Sequence, residues 1–231
     1  MSFFSAHPHF TPPSPAVEQR IDRMLAALSL EDKLDLIGGI NSGTTPKPAA
    51  GIPALKFADG PLGVHWWCTT STAYPATIGL AAAFDRELAY RAGAALAREA
   101  RARGVHVVLA PGVNLYRSPL CGRNFEYLGE DPYLAAQIVT QWIRGCQDHG
   151  VASTVKHYAV NFQEYDRHTV SSDLDERTLR EMYLPAFEAA VRDGGVGALM
   201  TAYNLVNGQH CSEHAHLILD ILKGEWGFTG V

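Results

Sequence analysis

Short apolar runs that stop abruptly at polar or charged residues recur along this chain of 231 residues. Leu55-Lys56-Phe57-Ala58 runs into Asp59-Gly60-Pro61, residues 105–110 run into Pro111-Gly112-Val113-Asn114, Val151-Ala152-Ser153-Thr154-Val155 runs into Lys156-His157-Tyr158, and residues 196–200 run into Thr201-Ala202-Tyr203-Asn204. Runs of this length predict buried strands. Polar groups clustered at strand ends are how α/β barrels present chemistry, because the loops there carry side chains that a packed core cannot.

Helical patterns fill the intervals. Ser14-Pro15 predicts a helix reaching Leu28, and Ser29 with Asp32 three residues on predicts a second, short one. Asp85 starts a long helix ending near Gly104, with Leu88, Ala92, Ala95 and Leu96 assigned to its apolar face. Asp131-Pro132 starts another that ends by Gly150. Asp175 heads a third, in which Leu179, Met182, Tyr183 and Val191 fall at helical spacing and Pro185 predicts a kink. Ser212 is expected to open the last helix, ending at Trp226-Gly227, and Phe228-Thr229-Gly230-Val231 reads as the first residues of a new strand. Strands separated by helices imply parallel pairing, in a barrel or a doubly wound sheet. The chain has neither GxGxxG after a strand nor GxxxxGK[ST], so a nucleotide-binding sheet has no anchor and no cofactor is expected. The Gly-, Thr- and Pro-rich segment 38–50 is too short for a domain linker and reads as a rim loop.

Composition narrows the class further. With 47% hydrophobic residues the chain can bury a full core, and one domain is the natural expectation. Nineteen basic against 24 acidic residues give a net charge of −5 without a basic block, which argues against a nucleic-acid partner. Residues 1–15 hold no Lys or Arg and no continuous apolar segment, so neither a secretory signal nor a membrane span is expected there, and the expected location is cytoplasmic. Cys68, Cys121, Cys146 and Cys211 are widely spaced, which fits unpaired thiols or isolated bridges better than a disulfide framework. His210, Cys211, His214 and His216 are the one metal-like cluster, but a helix start at Ser212-Glu213 would send His214 and His216 in different directions, and a surface patch is the preferred reading.

Longer strings carry a resemblance. DGPLGV (59–64), APGVNLYRSPLCGRNFEYLGEDP (110–132), KHYAVNFQEYDRH (156–168), DERTLREMYLPAFEAAV (175–191), MTAYNLVNG (200–208) and the terminal WGFTG are similar to glycoside hydrolase family 3 in its β-glucosidase-like branch. The resemblance covers roughly residues 17–231, with residues 1–16 as an N-terminal extension. It implies a (β/α)8 TIM-type barrel, here incomplete and lacking the last strands, from an enzyme that removes terminal β-linked sugars with retention of configuration. The acetylhexosaminidase branch is disfavoured, since it carries a Gly-His loop after Lys-His where this chain has Tyr158-Ala159-Val160-Asn161-Phe162.

The residues agree with that implication on chemical grounds. Vicinal sugar hydroxyls both donate and accept, so a sugar pocket needs a carboxylate as acceptor and fixed cationic donors. Asp59 supplies the acceptor, and Arg123, Lys156, His157 and Arg167 supply donors. The resemblance implies that these residues and Tyr203 line the subsite for the non-reducing terminal sugar, with Met200 packing nearby. Each has a plainer reading: Asp59 as a turn cap, Arg123 and Arg167 as structural ion pairs with Glu126 and Glu164, Tyr203 as core, His157 as a satisfied interior histidine. Asp59 and Lys156 are both expected to face a cavity, so that their truncation would remove binding and leave folding intact.

A retaining glycosidase needs a nucleophilic carboxylate and a general acid about 5 Å away. The resemblance puts the nucleophile in a Ser-Asp-Trp-like segment just beyond Val231 and the acid in a later region, so no catalytic carboxylate is assigned within the chain and the missing C-terminal portion is expected to be needed for activity. Glu126, Glu130, Glu164 and Asp166 are read as supports for the neighbouring arginines, not as stand-ins. The expected partner is a β-glucoside or oligosaccharide substrate. The alternative is a non-catalytic sugar-binding module.

Overall fold

The computed structural model describes residues 14–65 and 70–231. In chain order its elements are helices α1 (Pro15–Ala26) and α2 (Leu30–Gly38), strand β1 (Phe57–Asp59), helices α3 (Thr77–Ala82) and α4 (Arg86–Ala102), strand β2 (Val107–Leu109), helix α5 (Pro132–Asp148), strands β3 (Ala152–Tyr158) and β4 (Ser171–Ser172), helices α6 (Glu176–Thr178) and α7 (Pro185–Arg192), and strands β5 (Ala198–Thr201), β6 (Leu205–Val206) and β7 (Gln209–His210). A π-helical segment, His216–Glu225, closes the series.

Strands β1, β2, β3 and β5 form one parallel sheet in that order, with Phe57 opposite Val107, Val107 opposite Ala152 and Thr154 opposite Ala198. Each parallel step needs a crossover, which α3 with α4, α5, and α6 with α7 supply. This is the first part of a (β/α)8-type barrel, and it is not closed. Beyond β5 the next strand has begun: the Leu199 N–H donates to the Val231 carbonyl (2.8 Å) and the Val231 N–H to that of Gly197 (3.2 Å), the slanted pattern of a parallel neighbour.

Local chemistry explains the helix starts. The Ser29 hydroxyl accepts from the Asp32 N–H while the Asp32 carboxylate accepts from the Ser29 N–H, a complete capping box. Asp85, Asp131 and Asp175 each accept from the N–H three residues on. Pro185 cannot donate, and the helix in front of it widens into a π-turn over Leu179–Tyr183, closed by Leu184 N–H to the Leu179 carbonyl; α7 then restarts at the proline.

Two expectations are corrected. Ser212 does not cap the last helix: it lies in a turn with Glu213, and the His214 imidazole takes the cap, its Nδ1 accepting from the Leu217 N–H at 3.4 Å. In α4 the buried face is set by Ala89, Gly93, Leu96, Ala97 and Ala100, with Leu88, Ala92 and Ala95 only half-buried. The rotation follows from a close crossing with α5. A Cβ on Gly93 would sit 2.1 Å from the Trp142 carbonyl oxygen, and one on Gly145 2.0 Å from that of Tyr90, so two glycines facing opposite backbones let the helices touch.

A small sheet went unread in the sequence: β4 pairs parallel with β6, and β6 antiparallel with β7 across Asn207-Gly208. Both turn residues have positive φ, 50° and 82°, the requirement of a two-residue hairpin that Asn-Gly satisfies. The core runs between the barrel sheet and the helices, where Tyr158 packs edge-on against Phe187 and Trp226. Among the described residues, no helix is long and apolar enough to cross a membrane.

Candidate active site

The sheet gathers the polar strand ends on one side. Asp59 is the last residue of β1, and Lys156, His157 and Tyr158 are themselves the last residues of β3, one step deeper in the sheet than a following loop would be. Their neighbour in register is Met200 of β5, opposite Lys156. Lys156 is buried, and its Nζ sits 3.0 Å from Asp59 Oδ1 and 3.2 Å from Glu126 Oε2. Glu126, equally buried, gives its other oxygen to Arg123 Nε. Asp59 differs from both, because half of its side chain remains exposed.

Around this chain of charges lies a cleft of about 620 Å³, lined among others by Asp59, His65, Ser71, Arg123, Phe125 and Glu126. Its size and its mixture of charged, hydroxyl and aromatic groups suit a small polar ligand. A second cleft, about 460 Å³, lies against Tyr74, Leu80, Leu88 and Trp142; its lining is mostly apolar and holds no carboxylate.

His157 is fixed at both ends. Its N–H donates to Asn114 Oδ1 (2.9 Å), the Asn114 amide donates back to its carbonyl (3.0 Å), and its Nδ1 lies 3.2 Å from the Tyr127 hydroxyl. Burial, followed by the charges of Arg123, Lys156 and Arg167, pushes the imidazole down to about 2, so the ring is neutral across the physiological range. Arg167 pairs with Glu164 at 2.9 Å and stacks its guanidinium 4.7 Å from the centroid of Tyr203, whose ring also tilts against His168. Tyr203 is half exposed and is not core.

The structure thus brings together Asp59, Arg123, Lys156, His157 and Met200, with Arg167 and Tyr203 as a stacked pair close enough for Arg167 to act on His157. The ion pairs expected for Arg123 and Arg167 are present, with Glu126 and Glu164 as partners, whereas Glu130 and Asp166 are exposed. Sequence reasoning placed Asn114 at a polar strand end without assigning it a role, and missed Tyr127, for which an aromatic next to an acidic residue gave no signal. Cys121, Cys146 and Cys211 are free and buried; Cys68 lies outside the described residues. Among the described residues no group of three His, Cys, Asp or Glu could hold a metal ion, and His216 is engaged by Glu176 and Asp220.

The family description "Glycosyl hydrolase family 3 N terminal domain" matches residues 22–231. The chain belongs to glycoside hydrolase family 3. Among family 3 proteins, beta-glucosidase B of Emericella nidulans is 45% identical over 217 residues, covering 92% of this chain and 26% of that protein. The thermostable beta-glucosidase B of Acetivibrio thermocellus is 42% identical over 222 residues, covering 91% and 29%. The chain therefore spans little more than a quarter of these relatives. Similar solved structures include beta-glucosidase 3B from Thermotoga neapolitana in complex with glucose, with 38% identity, a TM-score of 0.84, and coverage of 91% of this chain and 33% of that one. The beta-glucosidase from Kluyveromyces marxianus in complex with glucose gives 39% identity, a TM-score of 0.88, and coverage of 91% and 26%.

Proposed function

We propose that this chain supplies the sugar-holding part of the active site of a retaining, exo-acting β-glucosidase, whose nucleophile and general acid lie in the portion that its relatives carry in addition. The observation that carries this reading is the half-exposed carboxylate of Asp59, at the end of β1, held 3.0 Å from the buried Lys156 ammonium near the end of β3, across the intervening β2 and beside Arg123 and the neutral His157. A vicinal diol bound there would place one hydroxyl to donate to Asp59 and its oxygens to accept from Lys156, His157, Arg123 and Arg167. Charge-assisted contacts of this kind contribute about 1.5–3 kcal/mol each when they replace water. The pairing of Glu126 with Arg123 and of Glu164 with Arg167 supports the view that these carboxylates hold the donors and do not take part in glycosyl transfer. The glucose complexes of the two solved relatives lend support to glucose as the sugar.

The test is release of nitrophenol from an aryl β-glucoside. Residues 1–231 alone should give no turnover, since neither a glycosyl-enzyme intermediate nor protonation of the leaving oxygen is provided. Addition of the downstream polypeptide should restore it, and Asp59→Ala should abolish the restored activity. Turnover by 1–231 alone that is lost on changing Glu164 or Asp166 would overturn the assignment. Glucose binding without turnover in any combination would favour the non-catalytic module instead.

A further inference from the structure

We infer that Tyr127 is a positioning residue that fixes the tautomer of His157, making the ring a hydrogen-bond donor through Nε2 and never an acceptor there. The inference rests on the reading of the site as a sugar subsite only for what the donor contacts; the tautomer itself follows from the protein's own groups.

A neutral imidazole carries one ring proton, and the partner of one nitrogen decides which nitrogen holds it. The Tyr127 hydroxyl and His157 Nδ1 are 3.2 Å apart, with the rings edge to face at 76°. Tyr127 is wholly buried, and burial also drives its phenol far above its usual pKa, so the hydroxyl keeps its hydrogen. That hydrogen has one acceptor among the described residues, which is Nδ1. The opposite arrangement, with Nδ1–H donating to the phenol oxygen, would leave a buried O–H without an acceptor, which is costly. Nδ1 therefore accepts, and the single ring proton sits on Nε2, which has no partner of its own among the described residues.

The surrounding structure holds both rings to this arrangement. The Thr77 hydroxyl donates to the Tyr127 carbonyl at 2.8 Å, and Gly112 leaves the space the phenol ring occupies, since a Cβ there would lie 2.9 Å from Tyr127 Cδ1. Asn114 brackets the His157 backbone from both sides. Protonation of the second nitrogen is opposed first by burial and then by three neighbouring cations, Arg123, Lys156 and Arg167. The site thus gains a short, uncharged donor that survives at acid pH, next to carboxylate and ammonium groups that do other work.

Neutron diffraction from deuterium-exchanged crystals of the wild-type protein at neutral pH locates the proton directly. A deuteron on His157 Nε2 and none on Nδ1 supports the assignment; a deuteron on Nδ1 overturns it, whatever sugar binds. The Tyr127→Phe variant should distribute the deuteron over both nitrogens and weaken glucose binding by about three- to tenfold, the loss expected for one hydrogen bond. A variant that keeps the deuteron wholly on Nε2 with unchanged affinity removes Tyr127 from the role, and if the variant does not fold, the wild-type map still decides. Calorimetry with deoxy and deoxyfluoro glucoses on the wild type completes the test. At the hydroxyl that His157 contacts, the fluoro sugar should bind better than the deoxy sugar, because fluorine accepts but cannot donate. Equal loss for both at all positions would remove the donor role toward sugar while leaving the tautomer to be judged by the neutron map.

Discussion

Lys156 and Glu126 form an ion pair in which each side chain is only 3% exposed. A buried pair adds little by itself, because desolvation consumes most of the Coulombic gain, but removing one partner strands the other. Glu126 is shared with Arg123, so it would keep one cation and not two. Lys156 therefore serves folding, against the expectation that it faces the cavity alone. Lys156→Ala should lower stability by about 3 kcal/mol and abolish sugar binding. Asp59→Ala removes a half-exposed carboxylate and leaves the Lys156–Glu126 pair in place, so it should abolish binding with a stability change of under about 1 kcal/mol. Urea titration of the two variants checks the contrast, and equal stability would refute it.

The neutral His157 makes the fold acid-sensitive. Its pKa falls from 6.5 to about 2 on folding, so between those values the unfolded chain binds a proton that the native chain does not. Stability is undiminished above pH 6.5 and declines as the pH drops below it, by up to about 1.4 kcal/mol per pH unit from this group. His157→Gln, which preserves a neutral hydrogen-bonding side chain, should be less stable at pH 7 yet lose stability less steeply between pH 6 and 4. Parallel slopes for the two proteins by thermal unfolding would show that the imidazole is not held neutral.

The α4–α5 crossing predicts opposite outcomes for two glycine substitutions. Alanine improves an exposed helix by about 1 kcal/mol relative to glycine. Gly79 in α3 has nothing within 4 Å of an added Cβ, so Gly79→Ala should stabilise by roughly that amount. At Gly93 the added carbon would lie 2.1 Å from a backbone oxygen, which cannot rotate away, and overpacking of about 1–3 kcal/mol or more outweighs the propensity gain. Gly93→Ala should lower the Tm while Gly79→Ala raises it, as calorimetry can establish.

Much of the fold was legible because it follows from short-range rules. Caps at Ser14, Ser29, Asp85, Asp131 and Asp175 stood where side-chain oxygens satisfy the first helical N–H groups, and the parallel strands stood out as apolar runs ending in charge. The start at Ser212 failed because a histidine three residues before Leu217 took the capping role, which side-chain statistics do not favour. The β6–β7 hairpin carries its ordinary signal in Asn207-Gly208, but its strands are only two residues long and show no alternating pattern to go with it. At the site, the clustering of polar residues at strand ends was legible but their depth was not. That Lys156 is sealed under Glu126, and that Tyr127 reaches His157 across 30 positions, depends on how the 123–127 loop folds over β3, and no local pattern encodes that.

A surface cluster at the end of the chain should oppose His157 in its pH dependence. His216 lies 3.1 Å from both Asp220 and Glu176, and these hydrogen bonds, that to Asp220 first, raise its pKa above 6.5. Glu225 and His214 also face the ring, and Arg180 competes for Glu176 and Glu225, tying α6 and the π-turn that follows it to the π-helical segment. A group whose pKa is raised on folding stabilises fully below its unfolded value, and that contribution disappears as the pH rises through the folded value. The cluster is largely exposed, so the effect is small and screened by salt. His216→Gln should leave stability above pH 8 nearly unchanged and reduce it near pH 6, and the difference should shrink in molar salt. Thermal melts of wild type and variant from pH 5.5 to 8.5 at two salt concentrations read this directly. A variant deficit that grows toward alkaline pH would show that the imidazolium is not what links the two segments.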